Sequence, residues 1–192
     1  GWYIRSNLFK YHAACYLTHA PIEAARKLRE NYGVTPDRID RIRLQLQENC
    51  DRVCNIPKPV TGLEAKFSLR LTTAMGLAGV DTGRLSTYSE EVAANTTLIG
   101  MRDKVEFDFI PDGANTVAQI ELTLKDGTKI SASHDSGMPA SDTAEQGRRL
   151  EAKFMALVDP VLGEARAKAL IADINRFDSL PNIRGLMANC QP

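Results

Sequence analysis

The run from Asp40 to Gln47 restricts the fold more than any other segment. Ile42, Leu44 and Leu46 alternate there with Arg41, Arg43, Gln45 and Gln47. Successive strand side chains point to opposite faces, so the pattern requires a sheet with one buried and one wet face. Val105, Phe107 and Phe109 repeat the alternation up to Pro111, and Ala118, Ile120, Leu122 and Leu124 repeat it again. A last short strand carries Ile130 and Ala132 and is joined to its predecessor through Lys125-Asp126-Gly127. A two-residue loop would set Leu124 opposite Lys129 and turn Ile130 to the wrong face. A three-residue loop with Gly127 left-handed sets Leu122 opposite Ile130 and keeps the apolar residues together.

Helical periodicity occupies most of the remainder. After a mixed, extended lead-in from Trp2 to Lys10, a helix is expected from Thr18 to Tyr32, with Thr18 as N-cap, Pro21 in the first turn and Gly33 at the end. Its Ile22, Ala25 and Leu28 oppose Arg26, Lys27 and Arg29. The prolines of Asn55-Ile56-Pro57-Lys58-Pro59 exclude a continuing ladder. From Gly62 to Gly79 one buried helix is expected, bearing Leu63, Ala65, Phe67, Leu69, Leu71, Ala74, Met75 and Leu77. Ser86 to Met101 reads as one or two short helices. Beyond Pro139, Asp142 with Glu145 resembles a capping box for a helix lined by Leu150, Phe154 and Leu157. Asp159-Pro160 is read as the start of another helix, carrying Leu162, Ala165, Ala169 and Ala172, and a short stretch from Pro181 to Ala188 closes the chain.

Strands and helices are grouped rather than strictly alternated. The expected class is therefore α+β: a small, mostly antiparallel sheet with helices packed on one face, followed by a helical C-terminal tail. The expected division is residues 1–138 for the α+β part and 139–192 for the tail, whose apolar stripes need either the sheet or another domain to cover them.

Composition removes several function classes. The chain of 192 residues, 43% hydrophobic and 25% charged, suits a globular domain and excludes disorder. Lys+Arg and Asp+Glu both total 24, so no basic excess exists to neutralise a phosphate backbone, and nucleic acid is not the expected partner. The longest apolar stretch falls short of a membrane span, and no membrane partner is expected. The sequence opens on Gly1, not methionine, as a processed product or a part of something longer would. Four cysteines at irregular spacing are too few for a disulfide scaffold of this size, and reduced thiols in a cytoplasmic protein are the simpler expectation.

No phosphate loop, dinucleotide fingerprint, serine elbow or paired-histidine zinc motif occurs. Cys50 and Cys54 have the spacing of half a metal site, but no second pair completes it, so no metal is expected. The densest set of titratable groups is Lys10, Tyr11, His12, Cys15, Tyr16 and His19. A lysine and a histidine near a helix start can bind a carboxylate, and can move protons where burial lowers a pKa. The alternative is a solvated Lys10 and a His19 that only caps the helix. Lys66 and Arg70, four apart with Thr73 following, form a cationic stripe for a carboxylate or merely a solvent edge, and Ser68 lies off it to satisfy backbone. His134 is expected at the surface.

Two segments resemble a known family. Phe9-Lys10-Tyr11-His12-Ala13-Ala14-Cys15-Tyr16-Leu17-Thr18-His19-Ala20-Pro21-Ile22 looks like the family run of lysine, aromatic, small residue or cysteine, then Thr-His-Pro before a helix. Asn55-Ile56-Pro57-Lys58-Pro59-Val60-Thr61-Gly62-Leu63-Glu64-Ala65-Lys66-Phe67-Ser68-Leu69 looks like its proline loop leading into Ala-Lys-Phe-Ser. Both resemble the MmgE/PrpD family, which includes 2-methylcitrate dehydratase, cis-aconitate decarboxylase and iminodisuccinate epimerase. The later hairpin, Gly137-Met138-Pro139 and Lys153-Phe154 fit as well. The resemblance covers the C-terminal part of such proteins, a lid after an all-helical domain, with the active site between the two.

The resemblance implies a cofactor-independent lyase or isomerase for small polycarboxylates, assembled with its N-terminal helical domain and as a homodimer. Lys10 matches the lysine lining the site and His19 the Thr-His position; both are assigned as catalytic. Cys15 and Lys66 are assigned to substrate binding. Cys15 stands where the decarboxylase branch has histidine, which argues against decarboxylation. Arg70 stands where proline is more usual, and His12 replaces a less polar residue, so nothing is carried over to either. The rival expectations are a non-catalytic binding or dimerisation domain whose tail docks a partner, and a ligand-binding protein that kept the anion site without the chemistry. The isolated chain is expected to be inactive.

Overall fold

The computed structural model describes residues 3–191. Trp2, where the extended lead-in was placed, lies outside them; Tyr3–Ser6 forms a single 3-10 turn, not an extended segment. Two compact units emerge, one of Gly1–Thr82 with Ser86–Pro139, the other of Gly83–Leu85 with Ala140–Pro192.

In the first unit, helix α1 (His19–Tyr32) precedes strand β1 (Ile39–Gln47), and five short helices follow: α2 (Asn49–Cys54), α3 (Gly62–Ala65), α4 (Leu69–Ala78), α5 (Glu90–Ala93) and α6 (Thr96–Arg102). Strands β2 (Val105–Ile110), β3 (Val117–Leu124) and β4 (Lys129–Asp135) complete a sheet of order β2-β1-β3-β4. β1 is parallel to β2, and the other two pairings are antiparallel. A parallel neighbour needs a crossover, which α2 to α6 supply.

Register turns the alternation into apolar rows across all four strands. Val105, Ile42, Leu122 and Ile130 form one row; Phe107, Leu44, Ile120 and Ala132 form the next. Leu122 faces Ile130 as the three-residue loop demands, and Gly127 supplies the left-handed residue at φ 83°. A third row, Phe109, Leu46, Ala118 and His134, shows that His134 is on the core-facing side of β4 and half-buried, not at the surface. Helix α1 lies against β3 and β4, and α4 packs on α1. The other face is wet and carries Arg43–Asp108 at 2.7 Å and Arg41–Glu106 at 3.4 Å.

α1 and α4 approach closely because residue 76 has no side chain. A Cβ built on Gly76 would stand 2.8 Å from the Ala25 Cβ and 2.9 Å from the Ile22 carbonyl oxygen, both on α1.

Several local expectations need correction. The helix expected from Gly62 to Gly79 is two helices. Ser68 is extended, bridges Asn55, and accepts from the Leu71 N–H to cap α4. The Lys66–Arg70 stripe is thereby broken. Thr18 precedes α1 but its side chain does not cap it: the hydroxyl donates backward to the Cys15 carbonyl at 2.7 Å.

In the second unit, α7 (Thr143–Leu162) is capped by Asp142, whose carboxylate accepts from the Ala144 and Glu145 N–H groups. Pro160 lies inside α7, so Asp159-Pro160 does not start a helix; the break comes at Gly163, before α8 (Glu164–Asn175). α7 and α8 pack together. The buried residues of α8 are Ala167 and Leu170, whereas Ala165, Ala169 and Ala172 are exposed. Helix α9 (Arg184–Asn189) follows. Among the described residues no helix is long and apolar enough to cross a membrane.

Candidate functional site

The site is built where the lead-in becomes α1. Main-chain bonds fix that loop at two points: the Ala13 N–H donates to Thr82 O at 2.8 Å and the Cys15 N–H to Lys66 O at 3.0 Å. Cys15 O accepts from both the Thr18 N–H and hydroxyl, turning the chain so that His19 becomes the first residue of α1. Glu23 follows one turn later, hence on the same helix face.

His12, His19 and Glu23 are all buried. The His12 and His19 rings meet edge to face with centroids 4.8 Å apart, and Tyr16 approaches His19 at the same separation. His12 Nε2 lies 3.1 Å from Glu23 Oε1, and His12 Nδ1 lies 2.7 Å from Thr82 Oγ1. Arg26 stands 3.6 Å from the other Glu23 oxygen. The Tyr16 hydroxyl donates to Ser136 O at 2.5 Å, and burial raises its pKa.

His19 is the chemically unusual member. Burial pushes its pKa down to about 3, and the neighbouring His12 and Lys10 charges push the same way; Glu23 and a hydrogen bond to the His12 main chain oppose them. A main-chain group that favours the protonated ring must be an acceptor, so the nitrogen bonded to it carries the proton. Nε2, buried and without a partner among the described residues, is left with its lone pair.

This predicts a pH dependence with a definite sign. Free histidine titrates near 6.5 and His19 near 3, so between those values the unfolded chain binds more protons. Stability contributed by His19 is full above pH 6.5 and lost as pH falls. Between pH 6.5 and 5 the loss is on the order of 1–2 kcal/mol. Chemical denaturation at both pH values should show that loss shrinking in His19→Gln; equal losses in the two proteins would refute it.

The residues singled out from sequence are distributed as follows. Lys10 is exposed, close enough for its charge to act on His19. Cys15 is half-buried with its sulfur 3.5 Å from that of Cys54, and the Lys66 ammonium lies 5.6 Å from the Tyr88 ring centroid. The Lys10 charge thus reaches His19, though the two make no direct hydrogen bond among the described residues. Cys15 and Lys66 are joined through main chain, while the thiol and ammonium face other partners. Sequence reasoning missed the partners Glu23 and Thr82. Glu23 had a signal, a carboxylate four residues after His19 and so on the same helix face; Thr82, 70 residues from His12, had none. Among the described residues no group of three His, Cys, Asp or Glu is placed to hold a metal ion.

The family model for the MmgE/PrpD C-terminal domain matches residues 12–176. The match takes in His12, Cys15, His19, Glu23, Lys66 and Thr82 and begins two residues after Lys10. No curated protein matches the chain.

Proposed function

The chain belongs to the MmgE/PrpD family as its C-terminal domain, and from that premise we propose that it is part of a cofactor-independent lyase or isomerase that abstracts a proton alpha to a carboxylate of a small polycarboxylate. Dehydration, decarboxylation and epimerisation all pass through that step. The observation that carries this reading is the buried Nε2 of His19, unpartnered among the described residues and within reach of the Lys10 charge.

A histidine whose pKa is held this low by its protein surroundings is by itself a weak base. Each force that lowers it, burial and neighbouring positive charge, is offset when a polyanion arrives, because a nearby anion favours imidazolium. The base thus gains strength as a polycarboxylate binds, and a neutral ligand would not produce that gain. Lys10 then pairs with a substrate carboxylate and stabilises the enolate-like charge that develops on proton removal. Cys15 and Lys66 are assigned to substrate contact, with Lys66 as the second cation. The N-terminal helical domain of the full-length protein and a homodimeric partner are proposed to complete the site.

The reading is tested by incubating the natural protein with a panel of small di- and tricarboxylates in deuterated water and following exchange alpha to the carboxylates by NMR. Exchange in at least one compound is expected, and silence across the panel would sink the reading. Lys10→Ala should lower kcat/KM about 10- to 100-fold, the value of one charge-assisted contact. Near-normal turnover would remove Lys10 from the mechanism.

A further inference from the structure

Apart from the acid–base cluster, the first unit holds three thiols in one neighbourhood. Cys50 and Cys54 are one turn apart on α2 and both are buried. Cys15 reaches them from the loop before α1, and the Cys54 thiol donates to its sulfur at 3.5 Å. The Cys50 thiol is directed elsewhere, to Asn115 O at 3.7 Å. All are free. Cys15 is half-buried, so a reagent in solvent can meet it, whereas Cys54 is 0% exposed. Joining the two requires the sulfurs to close by about 1.5 Å, a side-chain rotation, to the bond length near 2.0 Å.

We propose that Cys15 and Cys54 form a dithiol–disulfide couple operated by exchange with a low-molecular-weight disulfide such as oxidised glutathione. The deprotonated Cys15 sulfur attacks one glutathione sulfur, the glutathione S–S bond breaks, and one reduced glutathione leaves and takes up a proton. Cys54 then gives up its proton, attacks the Cys15 sulfur of the mixed disulfide and expels the second glutathione. Two protein thiols are oxidised and one glutathione disulfide is reduced to two thiols. Burial raises the Cys54 pKa and makes it a poor first nucleophile. It suits the second step, which is intramolecular and starts with the sulfurs in contact. The bond would tie the loop that leads into α1 to the C-terminus of α2. The couple shares Cys15 with the proposed substrate contacts but depends on no step of the reaction proposed above.

The test uses the natural protein with Cys190, an exposed thiol, replaced as Cys190→Ser. Native protein is exposed to oxidised glutathione, quenched by alkylation, and read by intact mass and peptide mapping. The expected product has lost the mass of two hydrogens and yields a linked peptide pair containing Cys15 and Cys54. Cys54→Ser should instead retain one glutathione on Cys15, and Cys50→Ser should still form the link. A link from Cys15 to Cys50, a glutathione adduct that persists with all three thiols present, or no reaction at Cys15 would each overturn the proposal.

Discussion

Replacing His19 by glutamine in the natural protein is expected to lower kcat by about two to four orders of magnitude, the usual contribution of a positioned acid–base group. Glutamine fills much of the imidazole space and can still donate to the His12 main chain, but it cannot take up a proton. Among the described residues Nε2 has no partner, so the change removes chemistry without orphaning a described neighbour at that atom. In the proposed mechanism Lys10, not His19, supplies the fixed charge that draws the substrate in, so KM should move much less than kcat. A kcat within about threefold of wild type would mean that the proton leaves by another route. The matching readout is alpha-deuterium exchange, which should fall with kcat.

The second large effect concerns the sheet. Leu44→Ala is expected to destabilise the protein by about 2–5 kcal/mol, measured by chemical denaturation. Leu44 is 0% exposed and sits in the row between Phe107 and Ile120, with a strand on either side to hold it. Its shell cannot collapse far without breaking register, so the cavity remains. The control is the adjacent residue. Arg43 points to the wet face and pairs with Asp108 there, and Arg43→Ala should cost about 1 kcal/mol or less. The reverse ranking would mean that the faces of β1 are assigned the wrong way round.

The sheet was readable because its information is local. Period two on β1 and β3 names the buried residues, and on β2 it names the core-facing row although Phe109 is left exposed; the three-residue loop at Lys125-Asp126-Gly127 then fixes the register of β4. The parallel pairing of β1 with β2 was not readable, since nothing in either strand states its direction across a crossover of five helices. The break at Ser68 failed for a related reason. Composition from Gly62 to Gly79 is helical throughout, yet Ser68 is drawn out of the helix by Asn55, and the Ile56 N–H bonds to Phe67 O. At Asp159-Pro160 the signals were local but equivocal: the Asp159 carbonyl accepts from the Gly163 N–H, so the helix runs through its proline and stops at the glycine. In the site, Lys10 and His19 were legible as a cluster of titratable groups. The buried hydrogen bonds of His12 come from α1 and from a loop far along the chain, and only folding brings them together.

The close approach at Gly76 has a bearing on how this domain can change over generations. The helix that Gly76 admits is the one whose first turn carries His19 and whose second carries Glu23. Every added carbon at that crossing pushes on the backbone that aims both residues. An ordinary core absorbs drift by repacking, and its activity survives because the chemistry sits on loops elsewhere. Here the groups proposed to react ride on the core itself, so a lineage that loosens this crossing would give up aim and stability in the same step, and repair must restore both together.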